Sequence, residues 1–245
     1  MRLLLDFLCR FGWGLAAGLV LTSSAEVTAG FFRVNSLVIM GIATFAALLA
    51  PAAGGSWPLP AAAAIAAWVA SVAWLGERRR AGSLLAVATA LLLAALTAIV
   101  SRSSGQTAGG AWPAAVAALL SGLLVGLTVH AMLLGHWYLN APGMSVSALR
   151  RAIDQALVAW AACLVAAVAG AGPALGETLR TADSTTCALV SLRWLAGLVG
   201  LPVLLVMGRK TLDIPNTQSA TGILYVACLA AILGELTAQL LAAAS

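Results

Sequence analysis

Long apolar stretches alternate with short polar or glycine- and proline-rich segments along the whole chain. Eight of the stretches approach or exceed about 20 residues, the length that a helix needs to cross a bilayer. They fall roughly at 5–25, 35–53, 59–77, 82–101, 112–138, 152–172, 187–208 and 219–242, judged by that length requirement. This pattern predicts an all-α integral membrane protein with about eight transmembrane helices and no separate soluble domain.

The composition excludes a water-soluble domain. Hydrophobic residues make up 62% of the chain and charged residues 9%, whereas soluble domains have about 45–50% and about 25%. The net charge of +5 comes from arginines in short loops and not from the broad basic face that nucleic acid requires. The sequence contains no Walker motif, so no nucleotide site is predicted. The four cysteines lack C-x-x-C spacing, so buried thiols are predicted instead of a zinc or redox motif.

The arginines and lysines predict the orientation of the helices in the membrane. One side collects Arg33, Arg78, Arg79, Arg80, Arg150, Arg151, Arg209 and Lys210. The other side collects Arg2, Arg10, Arg102 and Arg180. Because basic residues favour the cytoplasmic side, both termini are predicted to lie outside the cytoplasm, in a multi-pass protein of a cell inner membrane.

The two halves of the chain share short sequences. GLAAGL at 14–19 recurs as GLLVGL at 122–127, and LTA at 96–98 recurs at 236–238. We therefore divide the single membrane domain into two four-helix units, 1–110 and 111–245. An even number of helices per unit makes the repeats parallel. Both units carry G-x-x-x-G, which predicts close packing of helix backbones.

Imidazole, aromatic and amide side chains gather at the end of the fifth predicted helix. One interpretation is an interfacial belt, since Trp and Tyr favour the headgroup level. The other is a pocket for a lipid-soluble quinone, which needs hydrogen-bond donors, an apolar slot and a proton route. Imidazole titrates near neutral pH and suits the proton donor. The candidate residues are His136, Trp137, Tyr138, Asn140, Arg33, Gln218, Tyr225 and His130.

A haem held by two histidines is disfavoured. His130 and His136 are the two histidines of the chain, and they lie on one predicted helix. Their spacing separates them by about 9 Å along the helix and about 240° around it, so they cannot both bind one iron. A haem b held by one histidine and one methionine stays open as an alternative. The methionines available as the second ligand are Met40, Met132, Met144 and Met207. No other metal site is predicted.

Two glutamates are candidates for proton or ion transfer, because charged groups inside hydrocarbon need a partner or a function. Glu235 lies about four turns into the last predicted helix. Its structural interpretation is a hydrogen bond to a facing Ser, Thr or Trp. Its functional interpretation is a proton or ion relay, in which Glu26 is the second member.

The remaining charged residues inside predicted helices have structural interpretations. Asp6 and Arg10 are four residues apart, as are Arg150 and Asp154, and each pair is predicted to form an ion pair at a helix end. Arg193 is predicted to extend its side chain to the outer membrane surface.

Three functions remain open from the sequence. Two four-helix units without a haem-ligating histidine pair resemble quinone-handling membrane anchors of the polysulfide-reductase type. The gathered aromatic, imidazole and amide residues, together with loops too short for chemistry of their own, favour a membrane subunit of a respiratory or related redox complex with partner subunits. The alternatives are a small-solute or ion transporter using Glu235 and Glu26, and a non-catalytic scaffold. Whether the chain is an enzyme stays open, since no G-x-S-x-G or H-E-x-x-H motif occurs.

Overall fold

A computed structural model shows the described part of the chain as a bundle of eight long helices. It describes residues 1–103, 111–141, 144–171, 183–214 and 216–244. Within these ranges all eight helices are long and apolar enough to cross a membrane, and no strand occurs. The predicted all-α membrane fold is confirmed. The predicted unit boundary at residue 110 and the basic residue Arg180 lie outside the described residues.

The helices follow one another with short connections. In chain order they are α1 (Arg2–Leu21), α2 (Ala29–Leu49), α3 (Pro58–Leu75), α4 (Arg79–Ser103), α5 (Ala111–Asn140), α6 (Ser147–Ala171), α7 (Ser184–Thr211) and α8 (Thr217–Ala244). Large apolar residues on the outer surface are strongly exposed, for example Leu48 at 72%, Leu84 at 71% and Val158 at 71%. A water-soluble protein rarely exposes so much apolar surface, and a lipid bilayer covers it.

Helix α2 begins about six residues earlier than the hydrophobic pattern predicts, at Ala29. Arg33 and Asn35 interrupt the apolar run, which delays the predicted start. In the structure Asn35 is buried and its amide donates to the Phe31 carbonyl at 2.8 Å, while Arg33 lies on an exposed face. The helix accommodates both polar groups without ending.

The two halves pack in the same order. Helices α1 to α4 form a closed ring in which α1 also contacts α4, and α5 to α8 form a second ring in which α5 also contacts α8. The halves meet mainly where α1 crosses α5. There a Cβ at Gly14 would overlap the Gly122 carbonyl, and a Cβ at Gly126 would overlap the Gly14 backbone. The predicted packing role of the glycine motifs is confirmed, and the duplication itself stays a prediction.

Helix α7 changes its winding in the middle. Ser184–Leu192 and Leu201–Thr211 are α-helical, whereas Arg193–Gly200 is a π-helix. Segments of π-helix are rare and often mark functional sites. The Trp160 indole of α6 donates to the Leu198 carbonyl at 2.9 Å, inside this segment. The irregular part of α7 is therefore held against a neighbouring helix.

The predicted pairing of Asp154 with Arg150 is wrong. Asp154 instead accepts from Arg209 of α7 at 2.5 Å, and Arg150 pairs with Asp213 at 3.1 Å. Both residues are therefore paired across the α6–α7 contact. Spacing along one helix predicts only local partners, and here the end of α7 supplies closer ones.

Candidate functional site

A network of buried charged and amide groups connects the two halves near the end of the bundle where α1 begins and α8 ends. Arg10 is at its centre. One guanidinium nitrogen of Arg10 donates to the Asp6 carboxylate at 2.5 Å. The other donates to Glu235 Oε1 at 2.9 Å and to the Ser121 hydroxyl at 3.2 Å. The Gln239 amide also donates to Glu235 Oε1, at 2.9 Å.

Helical spacing explains this network. Asp6 and Arg10 are four residues apart on α1, and Glu235 and Gln239 are four residues apart on α8, so each pair shares one helix face. Asp6, Glu235 and Gln239 are only 7%, 5% and 4% exposed. Since unpaired charges are very unfavourable at such burial, the ion pairs explain how these groups are tolerated inside the bundle. The predicted Asp6–Arg10 pair is confirmed.

A cavity of about 130 Å³ lies beside Glu235, inside the ring formed by α5, α6, α7 and α8. Most of its wall is apolar, and Leu120, Leu124, Val125, Ala166 and Ala231 contribute to it. Its polar side chains are Ser121, Cys163, Arg193 and Glu235. A mostly apolar cavity with a few convergent polar groups is the usual form of a small-molecule site.

Arg193 enters this cavity from the first residue of the π-helical segment. One turn further on, Gly197 packs against Gly234 of α8 so closely that a Cβ at Gly197 would lie 2.9 Å from the Gly234 Cα. This contact brings Arg193 and Glu235 to the same cavity. The structure thus places Arg193 in the cavity wall, whereas the sequence predicted a side chain that reaches the surface. Within the described residues, Arg193 forms no salt bridge.

The charges around the cavity balance when both carboxylates are ionised. Asp6 and Glu235 supply two negative charges, and Arg10 and Arg193 supply two positive ones. Arg10 contacts both carboxylates directly, so the guanidinium of Arg193 is the cation without a paired carboxylate among the described residues. The cavity therefore combines a cationic hydrogen-bond donor, Arg193, and an ionisable carboxylate, Glu235, with mainly apolar walls.

The quinone candidates are divided among several surfaces. The His136 imidazole Nδ1 lies 3.2 Å from the Tyr225 hydroxyl, and both residues are exposed on the outside of the bundle. The Asn140 amide reaches the His136 carbonyl at 3.4 Å, also on the exposed surface. Arg33 and Gln218 are exposed, and among the described residues neither side chain forms a hydrogen bond with His136.

The other candidates from α5 point inward. The Trp137 indole donates to the Thr28 hydroxyl at 3.0 Å, and the Tyr138 hydroxyl donates to the Ser145 carbonyl. His130 is fully buried, and its Nε2 lies 2.7 Å from the Thr22 hydroxyl. The structure brings His136 and Tyr225 together and separates them from Trp137, Tyr138 and His130.

Glu26 lies at the opposite end of the bundle from Glu235, in the connection between α1 and α2. Its carboxylate accepts from the Ser147 hydroxyl at 2.7 Å and from the Arg151 guanidinium. These hydrogen bonds, Ser147 first, lower the pKa of Glu26 below its ordinary value. The two glutamates that were candidates for one relay are therefore not neighbours.

The sequence contained signals for residues that the prediction missed. Arg193 lies within the predicted span 187–208, where an ionisable residue indicates function by default. Gln239 follows Glu235 by one helical turn. The pairing of α1 with α8 has no local signal, so Arg10 could not be assigned to Glu235 from spacing. Across the described residues no group of three His, Cys, Asp or Glu side chains could hold a metal ion.

The fold and the cavity define a multi-pass helical membrane protein with a buried charged site between its two four-helix halves. No family model matches the chain, and neither a curated protein nor a solved structure shows significant similarity to it.

Proposed function

We propose that the protein is a proton-linked transporter of a small solute, with its binding site at the cavity beside Glu235. One observation carries the proposal: the same carboxylate forms an ion pair with Arg10 of the first half and lines the cavity of the second half. A change of charge at Glu235 therefore affects solute binding and the contact between the halves together.

The mechanism follows from this double contact. A proton on Glu235 removes the negative charge that holds Arg10 and so weakens the link between α1 and α8. A solute in the cavity competes for the same carboxylate or for Arg193. Ligands shift a protein between conformations when they bind the conformations unequally, and both ligands act here at one residue. The π-helix of α7 supplies the irregular backbone that often lines transporter sites.

Transport by the purified protein tests the proposal. The protein is reconstituted into liposomes that contain a pH-sensitive dye, and small anions, amines, zwitterions and neutral polyols are added outside. We expect at least one class of solute to carry protons inward. Glu235→Gln abolishes this acidification, whereas the exposed Glu77→Gln does not. Acidification that survives Glu235→Gln, or its absence with every solute class, would contradict the proposal.

We also place the protein in a cell inner membrane, with both termini outside the cytoplasm. The clusters of basic residues at the end of the bundle opposite the two termini support this orientation. The Arg10 network and the cavity then lie in the outer half of the membrane.

A second candidate function is a quinone-contacting subunit of a redox complex. The hydrogen-bonded His136 and Tyr225 support it, because an exposed imidazole and phenol on the outer surface of the bundle could meet a lipid-soluble ring or a partner subunit. Purification under mild conditions tests it by identifying companion redox subunits. Quinone-linked electron transfer by such a complex should fall in His136→Ala. Unchanged electron transfer in that variant would exclude the site.

A further inference from the structure

We infer that the transported solute is a small monocarboxylate, which binds the guanidinium of Arg193 and enters the cavity together with a proton on Glu235. This inference rests on the proposed function and specifies its substrate and coupling. It depends on the charges around the cavity, on the shape of the wall and on the position of Arg193.

The charges determine the sign of the solute and require the proton. The cavity wall and the adjoining Arg10 network together contain two carboxylates and two guanidiniums, so they are neutral overall when all four are ionised. An anion bound at Arg193 leaves one excess negative charge inside the membrane, which is energetically costly. A proton on Glu235 restores neutrality. A bound cation would leave one excess positive charge, and Arg193 would repel it.

The lining of the cavity selects a carboxylate with a short apolar body. Guanidinium groups bind carboxylates through two parallel hydrogen bonds, and Arg193 presents such a group at the wall. The remaining wall is mainly Ala, Leu and Val, which suits a methyl or ethyl group. A cavity of about 150 Å³ holds a benzene ring, so about 130 Å³ admits an anion of roughly that size or smaller.

The groups that face Glu235 come from each helix around it. Helix α1 contributes Arg10, which also contacts Asp6, and α8 contributes the amide of Gln239. Across the cavity, α6 contributes Cys163, α7 contributes Arg193 and α5 contributes the hydroxyl of Ser121. Glu235 is therefore the carboxylate placed between the fixed cation of α1 and the cation that faces the solute.

Uptake of labelled pyruvate and lactate into proteoliposomes tests the inference. Dimethylamine, glycine and glycerol represent the cationic, zwitterionic and neutral classes, and protein-free liposomes give the passive background. We expect uptake of the monocarboxylates, driven by an inward proton gradient and accompanied by acidification of the lumen. The larger anion naphthoate should neither enter nor compete, because it exceeds the cavity.

Variants separate the roles of the two charged residues. Arg193→Gln should lower uptake about tenfold or more, since it removes the charged donor. Arg193→Lys should restore part of the uptake, because lysine keeps the positive charge but cannot form two parallel hydrogen bonds. The exposed Arg80→Gln is the matched control and should leave uptake unchanged. In Glu235→Gln, detergent-solubilised protein should still bind pyruvate, but the affinity should no longer increase as the pH is lowered.

The outcomes separate this inference from the proposed function. Proton-driven uptake of monocarboxylates that requires Arg193 supports both. Proton-driven uptake of only the amine, zwitterion or polyol overturns the inference and leaves the transporter proposal intact. Absence of proton-linked uptake in all classes overturns both. If Arg193→Gln fails to fold, Arg193→Lys together with competition by naphthoate still tests the site, and strong competition would contradict it.

Discussion

At the scale of single residues, Arg10 shows how this protein keeps charges inside an apolar bundle. Its guanidinium contacts Asp6, Glu235 and Ser121, so its cost of burial is offset by three partners. Removing one member of such a buried network leaves the other charges uncompensated. The network is therefore a sensitive point for stability as well as for function.

The first prediction concerns Arg10. Arg10→Met should destabilise the protein by about 3–5 kcal/mol, because the Asp6 and Glu235 carboxylates lose their common partner. The combined variant Asp6→Leu, Arg10→Met, Glu235→Leu should regain most of that loss, since it removes the buried charges altogether. Unfolding in detergent, followed by circular dichroism, measures both. A single variant as stable as the exposed control Arg33→Met would contradict the network.

The second prediction concerns the pH dependence at Glu26. Hydrogen bonds from Ser147 and Arg151 lower its pKa, so the folded state favours the ionised carboxylate. Its stabilising contribution is therefore present above the ordinary pKa of about 4.3 and is lost as the pH falls through the lowered value. Glu26→Gln should lower the melting temperature near neutral pH, and the difference from the native protein should shrink in strong acid. A difference that grows on acidification would reverse the assigned sign.

Spacing along a helix predicted one ion pair correctly and failed for another, because Arg150 and Asp154 pair with Asp213 and Arg209 instead of with each other. The Asp6–Arg10 pair follows from a spacing of four residues. The partner of Glu235 lies on α1, at the other end of the chain, and no periodicity encodes that contact. The quinone candidates illustrate the same limit, because neighbours in sequence such as His136 and Trp137 point to different faces of one helix.

At the scale of helices, the crossing of α1 and α5 depends on glycine. The backbones approach so closely at Gly14, Gly122 and Gly126 that no side chain fits between them. The sequence predicted this packing because G-x-x-x-G has a known steric meaning. The π-helical segment of α7 was not predicted, because an uninterrupted hydrophobic run is compatible with an α-helix and with a π-helix alike.

The third prediction tests that crossing. Gly14→Ala should destabilise the protein by roughly 1–3 kcal/mol, because the added methyl group overlaps the Gly122 carbonyl. Gly41→Ala is the matched control, since nothing lies within 4 Å of its added Cβ and alanine favours helix. Thermal unfolding of both variants in one detergent gives the comparison. Equal loss of stability in the two variants would contradict the close crossing.

At the scale of the whole molecule, the number of helices and their approximate positions could be predicted from hydrophobicity alone. A helix that crosses a bilayer needs a fixed apolar length, so the spans are visible in the sequence. The cavity was not predictable, because its walls come from four helices whose contacts depend on packing. Arg193 and Glu235 become neighbours through the Gly197–Gly234 contact, which only the folded chain shows.

The fourth prediction concerns orientation. Alkaline phosphatase fused after α8 should be active and green fluorescent protein fused at the same point should be dark, since both termini are expected outside the cytoplasm. Fusions placed after Arg80 should show the reverse pattern. Fluorescence at the C-terminal fusion would invert the orientation and place the cavity in the inner half of the membrane.

Proton uptake on anion binding shows whether Glu235 couples the proton to the solute. Detergent-solubilised protein in weak buffer with a pH indicator is mixed with pyruvate at near-neutral pH, and bound pyruvate is measured in the same sample. We expect uptake of about one proton per bound anion, because binding and protonation are linked reciprocally at one site. The Glu235→Gln variant should bind pyruvate without taking up a proton. Pyruvate binding without proton uptake in the native protein, or unchanged proton uptake in Glu235→Gln, would contradict the assignment of Glu235 as the coupling residue.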